Sequence, residues 1–323
     1  MRALVFTAPG TVELLDVPEP EPAPGEVLVE VRAAGICGSE LHGARRPGFR
    51  QPPLIMGHEF AGTGAGGEAV VVNPILSCGR CPECGRGLRH VCRERQIIGV
   101  HRAGGFAERV AVPASALRPL PSGLPWEAAA LIEPAANAVH AWNQAGAALG
   151  GGGALDANRA GGTRVAVLGC GAIGLLCAAT ALSGGAGRVE VTDLSPARLA
   201  AAQRLGADAA GPDLSGEYDV VIDAVGSAAT RAASVAHQRP GGVAVWLGLA
   251  EEEAGFDASA LVRGEKRVLG SFAYRDEEFA HATALIGDWD LDWAESYPLA
   301  AAAEVFTGLM NGGLYPVKAL LRP

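Results

Sequence analysis

One cysteine and a histidine-glutamate pair near the start of the chain could hold a reactive metal ion. Cys37 occurs in AGICGSELH, and His58 and Glu59 occur in MGHEFAG. A thiolate, an imidazole and a carboxylate are all zinc ligands, and such a mixed set suits a catalytic ion with one open coordination position. By themselves, a single cysteine and a single histidine would more often be packing residues. The motifs around them favour a catalytic zinc.

Four further cysteines form a set of a different kind, with the spacing C-x2-C-x2-C-x7-C. Four thiolates can surround one Zn²⁺ tetrahedrally and leave no open position, as in a structural site. The segment at 77–95 has little apolar content, so metal binding would supply the folding energy that a core cannot. His90 lies close enough to replace a cysteine, but we interpret it as a loop residue. The predicted ligands are Cys78, Cys81, Cys84 and Cys92.

A glycine-rich motif, GCGAIG at 169–174, follows the apolar run RVAVL and precedes a helical stretch. Such a turn lets the backbone approach a pyrophosphate at a helix N-terminus. Asp193 ends the next apolar run, where its carboxylate would bind the adenosine ribose and repel a 2′-phosphate. The motif therefore predicts NAD rather than NADP. Arg198 is either a solvated helix residue, which we favour, or a phosphate ligand.

The elements that must position these residues fall into two patterns. Up to about residue 140, short β-like runs such as 3–6 and 27–31 are separated by Pro and Gly, which predicts a β-rich domain. From about Arg164, apolar runs alternate with helical stretches, which predicts a parallel sheet of five or six strands in an α/β fold. The rhythm is lost in the last fifty residues. We expect a first domain at 1–140, a cofactor domain at 141–271 and a return to the first domain at 272–323.

The motifs and their order resemble the zinc-containing medium-chain alcohol dehydrogenases, and within them the polyol (sorbitol) and threonine dehydrogenase branch. The resemblance runs through AGICGSELH, PLIMGHEFAG, the four-cysteine segment, ALIEPAANAVHA, GCGAIG, DAVG and VKALLRP. It implies a β-rich GroES-like catalytic domain and a doubly wound Rossmann domain. The implied activity is NAD-linked oxidation of a secondary alcohol of a polyol, cyclitol or amino alcohol, with two zinc ions per chain.

The resemblance also assigns the ligands of the catalytic zinc. Cys37, His58 and Glu59 would bind it, and Glu133 matches an acidic position that this branch places at the metal, directly or through its water. One thiolate and one carboxylate already cancel the charge of Zn²⁺, so adding Glu133 would leave a poorer Lewis acid. We expect Glu133 to move away as substrate enters.

Proton transfer and cofactor binding involve further residues by the same resemblance. Ser39 and His42 match a hydroxyl and a surface histidine that carry the proton out, although a helix cap and an exposed histidine are the simpler reading. Glu40 matches a carboxylate that orients the histidine ligand. The positions that match cofactor contacts are Gly169, Gly171, Ala172, Ile173, Gly174, Asp193, Leu194, Arg198, Ala224, Val225, Gly226, Leu247 and Gly248.

Charge and composition limit the partners. The formal net charge of −9 disfavours a surface that neutralises nucleic-acid phosphates. The start MRALVFTAPG lacks the features of a signal peptide, and no apolar run is long enough to span a membrane. We therefore expect a cytoplasmic homodimer or homotetramer whose partner is a small-molecule alcohol, with no nucleic-acid or membrane partner.

Three alternatives and two departures from the family pattern stay open at this point. The chain could bind a nucleotide or serve a structural role without turnover, it could be an NADP-linked ketone reductase, or it could belong to the zinc-free reductases, which lack both the four-cysteine segment and GHE. A β-hairpin of the family is shortened between Glu59 and Val70, and a glycine-rich insertion lies at 150–162. Tyr274 and Phe49 could shape the substrate pocket or simply pack.

Overall fold

The computed structural model describes residues 1–48, 50–150, 162–313 and 316–323. The chain divides into two compact units, of which the first comprises Met1–Glu133 and Leu291–Pro323 and the second Pro134–Asp290. The domain limits expected at residues 140 and 271 stay predictions. Phe49 and most of the glycine-rich insertion, at 151–161, lie outside the described residues.

The helices and strands have the following bounds. The strands are β1 (Arg2–Ala8), β2 (Thr11–Asp16), β3 (Glu26–Gly35), β4 (Leu54–Ile55), β5 (Glu59–Thr63), β6 (Ala69–Val72), β7 (Ile75–Leu76), β8 (Gln96–Ile97), β9 (Arg109–Pro113), β10 (Leu117–Pro119), β11 (Arg164–Leu168), β12 (Arg188–Thr192), β13 (Ala209–Gly211), β14 (Tyr218–Asp223), β15 (Gln238–Trp246), β16 (Arg267–Gly270), β17 (Ala294–Pro298) and β18 (Lys318–Arg322). The α-helices are α1 (Gly38–Arg45), α2 (Pro82–Gly85), α3 (Trp126–Ala130), α4 (Ile132–Ala148), α5 (Ala172–Ser183), α6 (Pro196–Arg204), α7 (Ala228–Ala236), α8 (Ala258–Arg263), α9 (Asp276–Leu285) and α10 (Ala302–Met310).

The first unit is built on β-sheets. Seven strands form one sheet in the order β10-β6-β5-β3-β18-β17, with β9 also pairing with β3, and β2-β1-β4 form a smaller sheet. In β3 the buried Val29 and Val31 alternate with exposed charged residues, as expected of a strand with one face on a core. Phe106 and Phe306 meet edge to face with their ring centroids 6.4 Å apart, so α10 shares the core of this unit.

A short turn joins β5 to β6. Thr63 pairs with Ala69, and the amide of Gly67 donates to the carbonyl of Gly64 at 3.0 Å. The five residues between the strands therefore make only a tight connection, where the family pattern has a longer hairpin.

The second unit is a six-stranded parallel sheet in the order β13-β12-β11-β14-β15-β16. Numbered within this sheet, the order is 3-2-1-4-5-6, which is the doubly wound Rossmann arrangement and confirms the predicted fold class. Its strands carry fully buried valines, for example Val165, Val167 and Val220. The sequence pattern did not indicate β13, because three Ala and Gly residues carry no strand signal.

Helices that could cross a membrane were also sought. Among the described residues, no helix combines the length and the apolar character that a membrane span requires.

Candidate functional site

The predicted catalytic ligands lie together in the first unit. Cys37 follows β3 as the N-cap of α1, and Glu59 opens β5 directly opposite Gly35 of β3. His58 precedes Glu59. Ligand atoms of Cys37, His58 and Glu59 all lie within 4.8 Å of one another, so one ion can lie between them. Residues more than twenty positions apart thus form one donor set of sulfur, nitrogen and oxygen, which fits zinc.

Glu40 holds the histidine of this set in place. It is fully buried, and its Oε1 lies 2.8 Å from Nδ1 of His58 and accepts from the amides of Gly57 at 2.9 Å and His58 at 3.2 Å. Its Oε2 accepts from the amide of Cys37 at 2.9 Å. With Nδ1 committed to Glu40, the other ring nitrogen of His58 is left to face a metal.

Lys318, which the sequence analysis did not single out, is ion-paired with Glu59. Both side chains are buried, at 4% and 1% exposure, and the pair joins Lys318 Nζ to Glu59 Oε2. Gly35 makes room for this pair, since a Cβ there would lie 2.2 Å from Glu59 Oε2 and 3.0 Å from Lys318 Cε. A lysine inside the apolar run VKALL was the available signal, because a charge in a buried strand needs a partner.

A second buried cation, Arg50, lies near the cluster. Its guanidinium donates to the carbonyl of Gly99 at 2.9 Å, and it lies close enough to Glu40 and Cys37 for their charges to act on its pKa. Burial lowers the pKa of Arg50, and these two negative charges partly offset that effect. Arg50 and Lys318 thus add positive charge around the site. The surroundings of a zinc bound by Cys37, Glu59 and Glu133 are therefore less negative than the ligand charges alone indicate.

The same charges act on the site's own titratable groups. Burial lowers the pKa of His58, but Glu40 and Cys37 outweigh it and leave the pKa well above its ordinary value. Burial raises the pKa of Glu40, but the charges of His58 and Arg50 bring it below the ordinary value. The carboxylate of Glu40 is therefore held in its ionised form, in which it accepts all its hydrogen bonds.

The remaining residues predicted for this site differ in exposure. Ser39 is exposed and its hydroxyl donates to the sulfur of Cys37 at 3.3 Å, while His42, on the same helix, is exposed as well. Glu133 lies in the first turn of α4 and is 8% exposed, but among the described residues the three-residue cluster does not include it. Tyr274 belongs to the second unit, where its ring packs against Phe279 at 5.5 Å between centroids.

The four-cysteine segment forms a separate cluster, whose sulfur atoms lie within 4.8 Å of one another. Individual sulfur pairs are 3.5 Å (Cys78 and Cys92), 3.7 Å (Cys81 and Cys92) and 4.0 Å (Cys78 and Cys84) apart. Zinc-sulfur bonds of about 2.3 Å in a tetrahedron put sulfur atoms about 3.8 Å apart, so the geometry fits one zinc. Backbone hydrogen bonds to sulfur support it, and Cys92 is fully buried.

The oxidation state of the cysteines agrees with this arrangement. All seven lie in the described part of the chain, and none forms a disulfide there. Cys170 and Cys177 are buried in the second unit, and burial raises the pKa of each thiol to about 12. They are inert packing residues rather than ligands.

The glycine motif of the second unit has the geometry of a phosphate-binding turn. Gly169 follows β11 with a φ of +91°, and a Cβ on Gly174 would lie 1.7 Å from the carbonyl oxygen of Gly169. Gly171 caps α5, where a Cβ would meet nothing within 4 Å and would instead fill the space in front of the helix. Ala172 and Ile173 begin the helix. These features fit a pyrophosphate at the helix N-terminus.

Asp193 lies just beyond β12 and reaches back to this turn. Its Oδ2 accepts from the amide of Cys170 at 2.8 Å and its Oδ1 from the amide of Ser195 at 2.8 Å. Arg198 on α6 lies 3.7 Å from Oδ2 and is half exposed, while the neighbouring Leu194 is 91% exposed. The carboxylate is therefore fixed beside the glycine turn, on the β12 side of the sheet.

The last predicted cofactor positions lie at the carboxyl ends of β14 and β15. Ala224, Val225 and Gly226 follow β14, and Leu247 and Gly248 follow β15. A Cβ on Gly226 would lie 2.1 Å from the carbonyl carbon of Gly248, so the two backbones are in direct contact. Ligands of parallel sheets bind outside such strand ends.

Comparison with known proteins places this geometry in a family. Residues 23–122 match the model of the alcohol dehydrogenase GroES-like domain, and residues 172–288 match that of zinc-binding dehydrogenases. L-galactonate-5-dehydrogenase of Escherichia coli (strain K12) is 33% identical over 317 residues, which cover 89% of this chain and 88% of the relative. L-threonine 3-dehydrogenase of Streptomyces avermitilis is 33% identical over 323 residues, covering 91% and 90%.

This chain belongs to the zinc-containing medium-chain dehydrogenases. Two solved structures agree with that membership. A zinc-binding dehydrogenase from Sinorhizobium meliloti 1021 bound to NADP superposes with a TM-score of 0.90 at 31% identity, covering 100% of this chain and 99% of that one. An alcohol dehydrogenase from Escherichia coli CFT073 complexed with NADH gives a TM-score of 0.88 at 25% identity, with 100% and 99% coverage. The dehydrogenase therefore combines a GroES-like domain with a Rossmann domain, as the motifs predicted.

Membership of the family settles the class of activity. The dehydrogenase is an oxidoreductase, a zinc-dependent secondary alcohol dehydrogenase of the polyol and threonine dehydrogenase type, and its substrate is a small-molecule alcohol. Its second substrate is a nicotinamide dinucleotide, as in the structural relatives. The zinc-free reductase alternative is thereby excluded, while the particular alcohol and the choice between NAD and NADP belong to the proposals that follow.

Proposed function

We propose that the chain oxidises a secondary alcohol of a polyol, cyclitol or amino alcohol to the ketone, with NAD as the hydride acceptor. The observation that carries the proposal is the cluster of Cys37, His58 and Glu59, and the buried acidic residue Glu133 is what points to a polyol-like substrate. The named relatives act on L-galactonate, L-threonine and D-altritol, which all carry secondary hydroxyl groups. An NADP-linked ketone reductase is the alternative.

Each residue of the cluster has a role in this proposal. Cys37, His58 and Glu59 would hold the zinc, which when bound supplies a Lewis acid that lowers the pKa of the substrate hydroxyl. Glu133, buried at the start of α4, is the acidic residue expected to respond as substrate enters. The other residues act on the protein side of the reaction.

Proton movement and ligand orientation fall to α1. Glu40 fixes the tautomer and the ring of His58. The hydroxyl of Ser39, 3.3 Å from the sulfur of Cys37, is placed to pass a proton from the site, and the exposed His42 can release it to water. The path leads from a partly buried cluster to the surface along one turn of helix.

NAD is proposed over NADP because of Asp193. Its carboxylate is fixed by two backbone amides beside the glycine turn, where it can accept from both ribose hydroxyls and repel a 2′-phosphate. Arg198 is half exposed and lies 3.7 Å from that carboxylate, so its charge is already opposed. The remaining proposed cofactor contacts are the backbone positions 169–174, 224–226 and 247–248 and the side chain of Leu194.

A second zinc per chain is proposed at Cys78, Cys81, Cys84 and Cys92, where it would replace a hydrophobic core for the 77–95 segment.

We also propose a cytoplasmic location, which the seven reduced cysteines support. A homodimer or homotetramer is supported by exposed apolar side chains of the second unit, among them Leu249 at 76% and Val262 at 72% exposure. Light scattering of the purified chain measures that state.

The test combines metal analysis with a substrate screen. We expect two zincs per chain and reduction of NAD in the presence of one class among polyols, cyclitols and amino alcohols. Fewer than two zincs, or better turnover with NADP, would contradict the proposal. NAD binding without turnover of any of these three classes would contradict the proposed substrate class.

Asp193→Ala provides the matched cofactor variant. We expect it to lower kcat/KM for NAD by about tenfold or more, which corresponds to the loss of roughly 1.4 kcal/mol of hydrogen bonding to the ribose. The value for NADP should rise, because the repulsion of the 2′-phosphate disappears. Asp208→Ala, which removes another carboxylate from the β12 region, should leave the ratio of the two values unchanged.

A further inference from the structure

A buried arginine lies at the carboxyl edge of the six-stranded sheet and has no place in the proposed machinery. Arg231, in the first turn of α7, is 9% exposed, and its Nη2 donates to the carbonyl of Gly248 at 3.3 Å. Its Cζ lies 5.4 Å from the ring centroid of Trp246. Its Nε has no hydrogen-bond partner, and no carboxylate among the residues that the structure describes lies within 4 Å of the guanidinium.

Burying the guanidinium of Arg231 at this position costs free energy. A buried charge without a close ion-pair partner recovers only part of its lost hydration free energy, here through the longer-range attraction of the buried Asp223. The positive end of the α7 dipole adds to the cost, since cations are disfavoured in the first turn of a helix. An apolar side chain would pack there at lower free energy, so the contacts of Arg231 with Gly248 and Trp246 point to its role.

Both contacts of Arg231 are with β15 and the loop that follows it. Trp246, the last residue of β15, has a second contact with α7, because its Nε1 donates to the hydroxyl of Ser234 at 2.8 Å. Asp223 holds the loop after β14, because its Oδ1 accepts from the amides of Val225 at 3.0 Å and Gly226 at 2.9 Å. Asp223 thus holds the β14 loop and Arg231 holds the β15 loop.

Between Asp223 and Arg231, the loops after β14 and β15 contact each other through backbone atoms. The amides of Leu247 and Gly248 both donate to the carbonyl of Asp223 at 3.0 Å. A Cβ on Gly248 would lie 2.0 Å from the carbonyl carbon of Val225, so no side chain can stand between the loops. The result is a fixed floor of peptide groups at the end of the sheet.

The position of this floor identifies what it faces. In a doubly wound sheet a dinucleotide lies across the strand ends on both sides of the point where the strand order reverses. The order β13-β12-β11-β14-β15-β16 puts that point between β11 and β14. The glycine turn and Asp193 serve the β11-β12 half, which takes adenosine, so the β14-β15 half takes the nicotinamide end.

We propose that Arg231 is a positioning residue for the nicotinamide half of the dinucleotide, acting through the Gly248 carbonyl and the Trp246 ring that it holds in place. This inference rests on the proposed dinucleotide binding of the second unit. Arg231 contacts Gly248 and Trp246 and would not contact the reacting atoms.

The test compares two ligands on intact, zinc-loaded protein. NADH has both halves of the dinucleotide, whereas AMP has only the adenosine half. We expect Arg231→Met to raise the Kd for NADH, measured by nicotinamide fluorescence, about tenfold, which corresponds to about 1.4 kcal/mol. The Kd for AMP, measured by competition with NADH, should change less than twofold. Arg231→Lys keeps the charge but loses the planar fork and stacking, so its NADH affinity should fall in between.

Arg239→Met is the control, because Arg239 bridges the same two strands at their opposite ends through Asp219 at 2.7 Å. It should change neither affinity. Equal weakening of AMP and NADH by Arg231→Met would show a general loosening of the sheet and overturn the proposal, as would unchanged NADH affinity. If Arg231→Met does not fold, Arg231→Lys decides by the same ratio. A wild-type protein that binds neither NADH nor NADPH would instead refute the proposed function, and this inference with it.

Discussion

The two ligand clusters of the first unit differ in where their ligands come from and in which ligand types they use. The four-cysteine cluster takes its ligands from one fifteen-residue segment that contains only a four-residue helix and a 3₁₀ turn, Arg89–Val91. The cluster of Cys37, His58 and Glu59 is assembled from the N-cap of α1, the residue before β5 and the first residue of β5. The first surrounds its site with thiolates alone, and the second uses three ligand types.

Their surroundings differ in the same sense. Around the four cysteines the charged residues are surface ion pairs, such as Arg80 with Glu94 at 2.8 Å, which are largely solvent-exposed. Around the mixed cluster the charged residues Glu40, Arg50 and Lys318 are all buried. Buried charges are retained only where they act on something, whereas surface pairs contribute little. The comparison supports the proposed division, in which the first cluster would stabilise a loop and the second would set the reactivity of an ion.

The sharpest test of this division removes one ligand of the mixed cluster. We expect His58→Ala to lower kcat/KM by at least about 10³-fold, because the Lewis acid is worth several kcal/mol to the transition state. Metal analysis should show one zinc fewer per chain, and the thermal midpoint should change little. Exposed His42→Ala is the matched control and should keep both zincs. Full zinc content in His58→Ala would contradict the role of His58 as a ligand, and loss of both zincs would show that the two clusters are not independent.

The reciprocal change removes a ligand of the four-cysteine cluster. We expect Cys92→Ser to reduce zinc by one per chain and to lower the thermal midpoint by roughly 10 °C, since metal binding is folding free energy for that segment. The protein that stays folded should keep its catalytic zinc and most of its turnover. Cys170→Ser, which alters a buried cysteine outside both clusters, should keep two zincs. A Cys92→Ser protein of unchanged thermal midpoint would argue against a structural role.

A smaller effect is expected from the residue that orients His58. Glu40→Gln preserves the shape of the side chain but removes the charge that holds Nδ1 and three backbone amides. We expect zinc affinity at the mixed cluster, measured by chelator competition, to fall about 10- to 100-fold. Affinity at the four cysteines should not change. Glu30→Gln on β3, an exposed carboxylate, is the control, and an equal loss there would point to a general charge effect.

Much of the molecule could be predicted because its signals are local. GCGAIG, the four-cysteine spacing and the alternation of apolar strands with helices each lie within a short window, and the fold class was correct. Strand β13 was missed because three small residues carry no periodic signal. Arg50 and Arg231 were missed for another reason: an isolated charge in a sequence is usually solvated, and only its burial marks it. Lys318 was missed although its place inside the apolar run VKALL was a signal.

The sequence by itself determined the chemical types at the site, namely thiolate, imidazole and carboxylate, and the glycine turn beside Asp193. Those follow from residue identity and short spacing, which the backbone geometry converts directly into structure. Only the tertiary structure decided that Lys318, from the last strand, pairs with Glu59 across Gly35, and that Glu40 joins His58 to Cys37. Strand pairing brings together residues hundreds of positions apart, and burial then makes their charges interact strongly because water no longer screens them.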